Sequence, residues 1–270
     1  SAPLAPALLG LQAIAASDRL PDKQELIERL CGGEYAPLHM LPAQVSGDEL
    51  LNGTIAGVFD ADMASHVVAA LPGRYVLLPL DAPGVRLDEH RLWDESRRLF
   101  DVVLDGFAPT PAMVLADGDA AKALHDQLSL SALTAIAADC LGGANAILTS
   151  TIDYLNTRKQ FDRPLAMFQA LKHRVADMKI RLAAAEALFW SRVSNPDTTA
   201  LEMGAMKAFA TRAYADIVEE AVQLHGGIGL TSEHHCHLYL KRAALNAVLC
   251  GDGDHWEAAT GRSVLAQQPG

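Results

Sequence analysis

The 270 residues are half apolar and one-fifth charged, which supplies enough apolar material for a packed core and excludes a disordered chain. The 33 acidic side chains outnumber the 22 Lys and Arg and leave a net charge of -11, which excludes recognition of nucleic acid through a basic surface. Length allows one large domain or two modest ones.

In chain order, Leu8 to Ala16 reads as the end of a helix. Residues 21 to 31 read as a short one: Pro21 suits a first helical position, Leu26, Ile27 and Leu30 share a face, and Gly32-Gly33 follow as stops. From 35 to 116 come short β-rich runs, among them Val67 to Leu71, Tyr75 to Leu80 and Phe100 to Leu104, separated by Pro72-Gly73, Pro83-Gly84 and Asp105-Gly106. After Asp117 the pattern is helical almost to the end. Leu128 to Ile152 is the least polar stretch, but Asp139 interrupts it and Ser, Thr and Asn dilute it, so it predicts a buried core helix and no membrane span.

After Pro164, the residues Phe168, Leu171, Val175, Met178, Leu182, Ala185 and Phe189 recur at alternating steps of three and four, which predicts a long helix with one face buried along its whole length. Asn195-Pro196-Asp197 ends it. A further helix over about 198 to 224 is ended by His225-Gly226-Gly227-Ile228-Gly229, and helices near 232 to 249 and 254 to 266 finish the chain. The expected organisation is α+β: a helical remnant at 1–34, a small middle β-sheet domain at 35–116, and a C-terminal four-helix-type bundle at 117–270. Cys31, Cys140, Cys236 and Cys250 are far apart, with no CxxC pair, and read as reduced thiols of a cytoplasmic protein. No basic region followed by an apolar run stands at the N-terminus, so no signal peptide is expected.

Three segments could carry chemistry, and each has a plainer reading beside it. Thr157 to Pro164 is a basic turn between two long helices, where Arg158 offers a planar fork for phosphate and the next helix is expected to begin just after with free N–H groups; the plainer reading is a solvated interhelical turn. Gln223 to Gly229 could let a backbone pass close to a ligand, or be a C-cap and turn. No strand precedes it and GxGxxG spacing is absent, so it is no dinucleotide fingerprint. Glu233-His234-His235-Cys236-His237 is dense in metal ligands, and on a helix Glu233 with His237, and His234 with His237, would share a face. No second cluster completes a metal shell, so the expectation is solvent-facing or helix-capping imidazoles and no metal.

Taken together, Tyr154-Leu155-Asn156-Thr157-Arg158-Lys159-Gln160-Phe161, Pro164, Phe168-Gln169, Ala176-Asp177-Met178, Gln223-Leu224-His225-Gly226-Gly227-Ile228-Gly229, Thr231, Glu233 and Lys241-Arg242-Ala243 resemble the acyl-CoA dehydrogenase flavoprotein family in order and spacing. In that family a carboxylate takes an α-proton from an acyl-CoA thioester while the β-hydrogen leaves as hydride to FAD. The resemblance implies that Arg158 holds the FAD pyrophosphate, that Phe161 lies beside the cofactor, and that Gln223, Gly226 and Gly227 line its adenosine end, all serving the neighbouring subunit's site.

Departures from the pattern set the functional expectation. The resemblance begins near the end of the family's N-terminal helical domain, and Leu38 to Asp48 repeats neither the Thr-Glu-Pro nor the Gly-Ser-Asp segment that contacts the flavin ring. The two positions where the family places its glutamate base carry Cys250 and Ala132. No cationic arrangement to activate the thiol is visible near Cys250 in the sequence, and Asp139, Asp254 and Glu257 have plainer explanations as paired or solvated groups. The expectation is a subunit without its own catalytic residue that completes the FAD site of a paralogous catalytic partner in a heterotetramer. Its substrate is an acyl-CoA, by analogy a steroid side chain, and electron-transfer flavoprotein is the candidate acceptor. A self-sufficient homotetramer with a displaced base and a non-catalytic assembly subunit stay open.

Overall fold

The computed structural model describes residues 4–47 and 49–266; Asp48, the last residue of the Leu38 to Asp48 stretch, lies outside the described residues. Contacts divide the chain into two compact units, Ser1–Ser131 and Ala132–Gly270. The first carries helices α1 (Leu4–Ala16) and α2 (Lys23–Cys31), then strands β1 (Leu38–His39), β2 (Gln44–Ser46), β3 (Leu51–Phe59), β4 (His66–Leu71), β5 (Arg74–Pro79), β6 (Val85–His90), β7 (Leu99–Phe107) and β8 (Val114–Asp117), and the start of α3 (Gly118–Thr157).

The strands form two four-stranded sheets, ordered β1-β4-β5-β8 and β2-β3-β7-β6. Strands β4 and β5 read as continuous apolar runs because both of their faces are covered. Val67, Ala69, Val76 and Leu78 pack on Leu51, Ile55, Val102 and Leu104 of the other sheet. Val68, Tyr75 and Leu77 point the opposite way, onto Ala13 and Ile14 of α1 and Leu124 and Leu128 of α3. Each Val, Leu or Ile among them, taken fully out of water, contributes roughly 1.5–3 kcal/mol. Strand β7 is covered on one face only and alternates accordingly along Leu99 to Leu104.

In the second unit the remainder of α3 is followed by a hairpin of β9 (Lys159–Gln160) and β10 (Arg163–Pro164), then α4 (Gln169–Val193), α5 (Ala200–His225), α6 (Cys236–Val248) and α7 (Gly253–Ala266). Helix α5 is the hub, packed against α4, α6 and α7. It opens on a capping box between Thr199 and Glu202. Small residues let its neighbours close in. A Cβ on Gly143 of α3 would come within 2.5 Å of the Tyr214 hydroxyl, and one on Gly204 would strike the Trp256 ring of α7.

Helix α3 is long and apolar enough to cross a membrane by length and composition, but 44% of its apolar window is buried within the protein, with Ala137, Cys140, Ala144, Ile147, Leu148 and Leu155 in the core. On α4 only Met178, Leu182, Ala185 and Phe189 are fully buried. Phe168, Leu171 and Val175 are half-buried, so the face expected to be covered along its whole length is covered only in its C-terminal part. The uncovered end borders a shallow cavity of about 160 Å³ lined by Ile152, Leu155, Leu171 and Val175.

His39 of β1 is buried, and its Nε2 has no hydrogen-bond partner among the described residues. Burial pushes its pKa down to about 4, so between about 6.5 and 4 the unfolded chain takes up a proton that the folded chain refuses, and stability falls as pH falls. Urea melts at pH 6.5 and 4.5 should show His39→Leu losing on the order of 2 kcal/mol less than the parent across that interval.

Candidate functional site

The basic segment between α3 and α4 is a two-residue hairpin in which Arg163 pairs with Gln160 and Pro164 with Lys159. Such a turn wants positive φ at both central residues and usually has Asn-Gly there; here Phe161 and Asp162 occupy them, at φ 53° and 61°. Backbone hydrogen bonds fix the base of the turn, Arg158 N–H to the Tyr154 carbonyl at 2.8 Å and Leu165 N–H to the Arg158 carbonyl at 2.8 Å. The Phe161 ring is 85% exposed and meets the Phe168 ring edge-on at 6.2 Å, while the Arg163 guanidinium lies 4.0 Å over the other aromatic, Phe168. Arg158 is exposed, and among the described residues no carboxylate pairs with it. Helix α4 does not begin just after this turn, as the sequence suggests: a 3-10 turn at Leu165–Met167 intervenes and α4 starts at Gln169. Its N–H groups therefore follow the hairpin at a remove of several residues.

The second motif closes α5. Gly226 sits at φ 64°, ψ -142°, a conformation open to glycine alone, and a Cβ on Gly226 or on Gly227 would meet nothing within 4 Å. Gln223 is exposed on the last turn before them. The two motifs are joined at their bases. Tyr154, one turn before Arg158, stacks on the His225 ring at 4.5 Å between centroids and donates its hydroxyl to the His225 carbonyl at 3.2 Å. Sequence reading named both segments without seeing this link.

The helix expected near 232 begins only at Cys236, so Glu233 and His234 are not on it and neither helix-spaced ligand pair forms. What assembles instead is His225, His234 and Cys236, whose ligand atoms lie within 4.8 Å of one another. Burial pushes the Cys236 thiol up to about 11. Burial, then the neighbouring imidazoles, push His234 below the ordinary histidine range.

Neither position expected for a base offers one. Ala132 is buried. Cys250 is at φ 53° in the turn after α6, and the absence of a cation near it, expected from sequence, is corrected by Lys207. That side chain is fully buried and donates to the Ala247 carbonyl at 3.0 Å and the Gly251 carbonyl at 2.7 Å. Cys250 is exposed as a residue, yet enough protein surrounds its sulfur that desolvation raises the thiol pKa, and Lys207 offsets this only in part. The thiol is neutral at pH 7 and is a poor base. Asp139 accepts from Asn246 Nδ2 at 2.7 Å and lies 3.7 Å from Arg242, which ties α3 to α6. Asp254 and Glu257 are exposed in the first turns of α7.

A sequence model described as "Acyl-CoA dehydrogenase, C-terminal domain" matches residues 128–263. Acyl-CoA dehydrogenase IpdE2 of Mycolicibacterium smegmatis is 37% identical over 158 residues, covering 58% of this chain and 46% of that protein. The Mycobacterium tuberculosis protein of the same name is 32% identical over 231 residues, covering 85% and 62%. The chain thus spans about half to three-fifths of the length of these relatives. Among solved structures, butyryl-CoA dehydrogenase of Megasphaera elsdenii superposes with a TM-score of 0.85 at 20% identity over 97% of this chain and 76% of that one. A steroid ACAD described by two names, Tcur3481-Tcur3483, does so with a TM-score of 0.80 at 25% identity over 98% and 76%.

Lys207→Met strips two half-buried carbonyls of their donor, and equilibrium urea unfolding should show a loss of about 1–3 kcal/mol. The same variant should move the pH midpoint of Cys250 alkylation upward, because the offsetting ammonium is gone; a midpoint that stays put would separate Lys207 from the thiol.

Proposed function

The chain belongs to the acyl-CoA dehydrogenase family, and we propose that within it this protein is a subunit that completes the FAD site of a catalytic partner while lacking a base of its own. FAD is the cofactor of this family. When bound, it accepts the β-hydrogen as hydride in the α,β-dehydrogenation of an acyl-CoA thioester. The chain's residues fit one end of that cofactor and not the reacting end.

Arg158 supplies a planar guanidinium fork that suits two phosphate oxygens. With Lys159 and Arg163 it makes a cationic hairpin on a chain of net charge -11. Phe161 offers a flat apolar ring, and its αL backbone turns that ring outward instead of into the core. At Gly226 and Gly227 the missing side chains leave room for an adenosine to lie against backbone, with the Gln223 amide beside it. A proton acceptor at the thioester α-carbon is what the chain does not provide: Ala132 has no ionisable atom, Cys250 is held as a neutral thiol, and Asp139 is engaged by Asn246 and Arg242. The single observation that carries this reading is the pairing of an outward, unneutralised phosphate fork with two vacant base positions.

Partnership has support of its own. Helix α4 has a second apolar stripe on the side away from its buried one: Ala176, Ile180, Ala183, Ala187 and Trp190 are exposed at helical spacing, with Ile180 66% and Trp190 62% exposed. A stripe of this kind on a soluble helix marks a contact with another chain. The occupant we propose is a paralogous catalytic subunit in a heterotetramer. The two-name description of the steroid ACAD supports this, and it likewise supports a steroid acyl-CoA as substrate. Four cysteines, none in a disulfide, accord with a cytoplasmic setting, and electron-transfer flavoprotein is the acceptor class we propose.

In a complex co-expressed with the catalytic paralogue, Arg158→Ala should deplete bound flavin at least about tenfold, since a charge-assisted phosphate pair is lost. Arg158→Lys should restore only part of it, having charge without the fork. Flavin content unchanged by Arg158→Ala would instead favour a purely assembling role. A yellow homotetramer of this chain alone, bleached by an acyl-CoA, would favour a self-sufficient enzyme.

A further inference from the structure

We infer that Tyr154 is a positioning residue of the proposed cofactor site: it sets the spacing between the Arg158 fork and the glycine loop, so that one dinucleotide can meet both. This rests on the reading of those two segments as an FAD site. Arg158 hangs from Tyr154 through the backbone, its N–H donating to the Tyr154 carbonyl at 2.8 Å in the i to i−4 bond that closes the last turn of α3. Gly226 is tied to Tyr154 through the side chain. The hydroxyl donates to the His225 carbonyl at 3.2 Å, and the ring stacks on the His225 ring at 4.5 Å between centroids.

The hydroxyl bond acts on the peptide that carries Gly226. His225 is the last residue of α5, so its carbonyl is one of those that a helix end leaves without an intrahelical partner. A peptide unit is planar, and this one is fastened at both polar atoms. Tyr154 donates to its carbonyl, and its N–H, that of Gly226, donates to the Gln223 carbonyl. The His225 ring is held against Tyr154 as well, because it is buried and its Nδ1 lies 2.8 Å from the Ala221 carbonyl one turn back. Gly226 then leaves at φ 64° and ψ -142°, a conformation for glycine alone, and with the preceding plane fixed the path toward Gly227 is fixed too. The part Tyr154 plays is placement: a ligand gains from two contacts together only when both are held at a separation that it can span.

FAD titrated into the flavin-stripped complex with the catalytic paralogue reads the positioning. Tyr154→Phe keeps the ring and loses the hydroxyl bond, and should weaken FAD binding about three- to tenfold. Gly227→Ala is the companion probe. Its Cβ would meet nothing within 4 Å in the free chain, yet it takes space proposed for adenosine, and it should weaken binding at least as much. Because Tyr154 acts through the glycine loop, the two losses are coupled, and Tyr154→Phe added to Gly227→Ala should cost less than about twofold more. A merely structural role would leave the loss independent of the Gly227 substitution. Tyr75→Phe, which removes a hydroxyl bond to His125 Nδ1 at 2.7 Å in the first unit, should bind FAD as the parent does. With Arg158→Ala still weakening FAD, three results overturn the inference and leave the site reading intact: parental affinity in Tyr154→Phe, a loss that persists in full on top of Gly227→Ala, or an equal loss in Tyr75→Phe. If neither Arg158→Ala nor Gly227→Ala weakens FAD, the site reading fails and the inference falls with it.

Discussion

Between helices of 40 and 25 residues the chain reverses through two residues with positive φ, and neither is glycine. Placing Phe161 and Asp162 in the left-handed region costs roughly 1–2 kcal/mol each, and the rest of the hairpin holds them there: two backbone hydrogen bonds at its base, the short β9–β10 pairing, and Phe168 beneath the Phe161 ring. An Asn-Gly pair would make the same reversal without strain. What the strained version provides is an aromatic ring carried outward at the tip, with a cation on each flank. The backbone of Arg158 is held on both sides by hydrogen bonds, and its planar guanidinium can meet a phosphate through two parallel N–H groups.

Tyr154 extends that constraint to the glycine loop. Its ring and hydroxyl both engage His225, so the end of α3 and the end of α5 are one mechanical unit. Lys207 does comparable work elsewhere on α5, fastening the turn that contains Cys250 by a buried ammonium where a simpler fold would use a capping side chain.

Helices α4 and α5 were legible because a long apolar stripe at helical spacing has few other readings, and the stops at Asn195-Pro196 and Gly226-Gly227 are strong. The strand runs of β4 and β5 were legible for a related reason: burial on both faces leaves them uninterrupted. Strand β3 was not singled out, because Gly53, Ala56 and Gly57 are weak strand formers and its pairing with β7 shifts register twice. The hairpin strands are too short to show a period. Lys207 was invisible, since a lysine amid Met203, Met206 and Ala210 reads as the solvated edge of a helix. The histidine segment does not form its helix-spaced pairs because the helix starts at Cys236, and His225, which joins His234 and Cys236, comes from another helix end that sequence distance hides. The vacancies at Ala132 and Cys250 came from family spacing, and the structure adds why the thiol there is neutral.

The flavin-to-polypeptide ratio of a purified complex between this chain and the catalytic paralogue proposed as its partner tests whether this chain keeps a flavin of its own. One FAD per two chains, with Arg158 of this chain at the pyrophosphate, is the result expected. Two FAD per two chains, or a flavin ring seated on residues 38–62 of this chain, would contradict it.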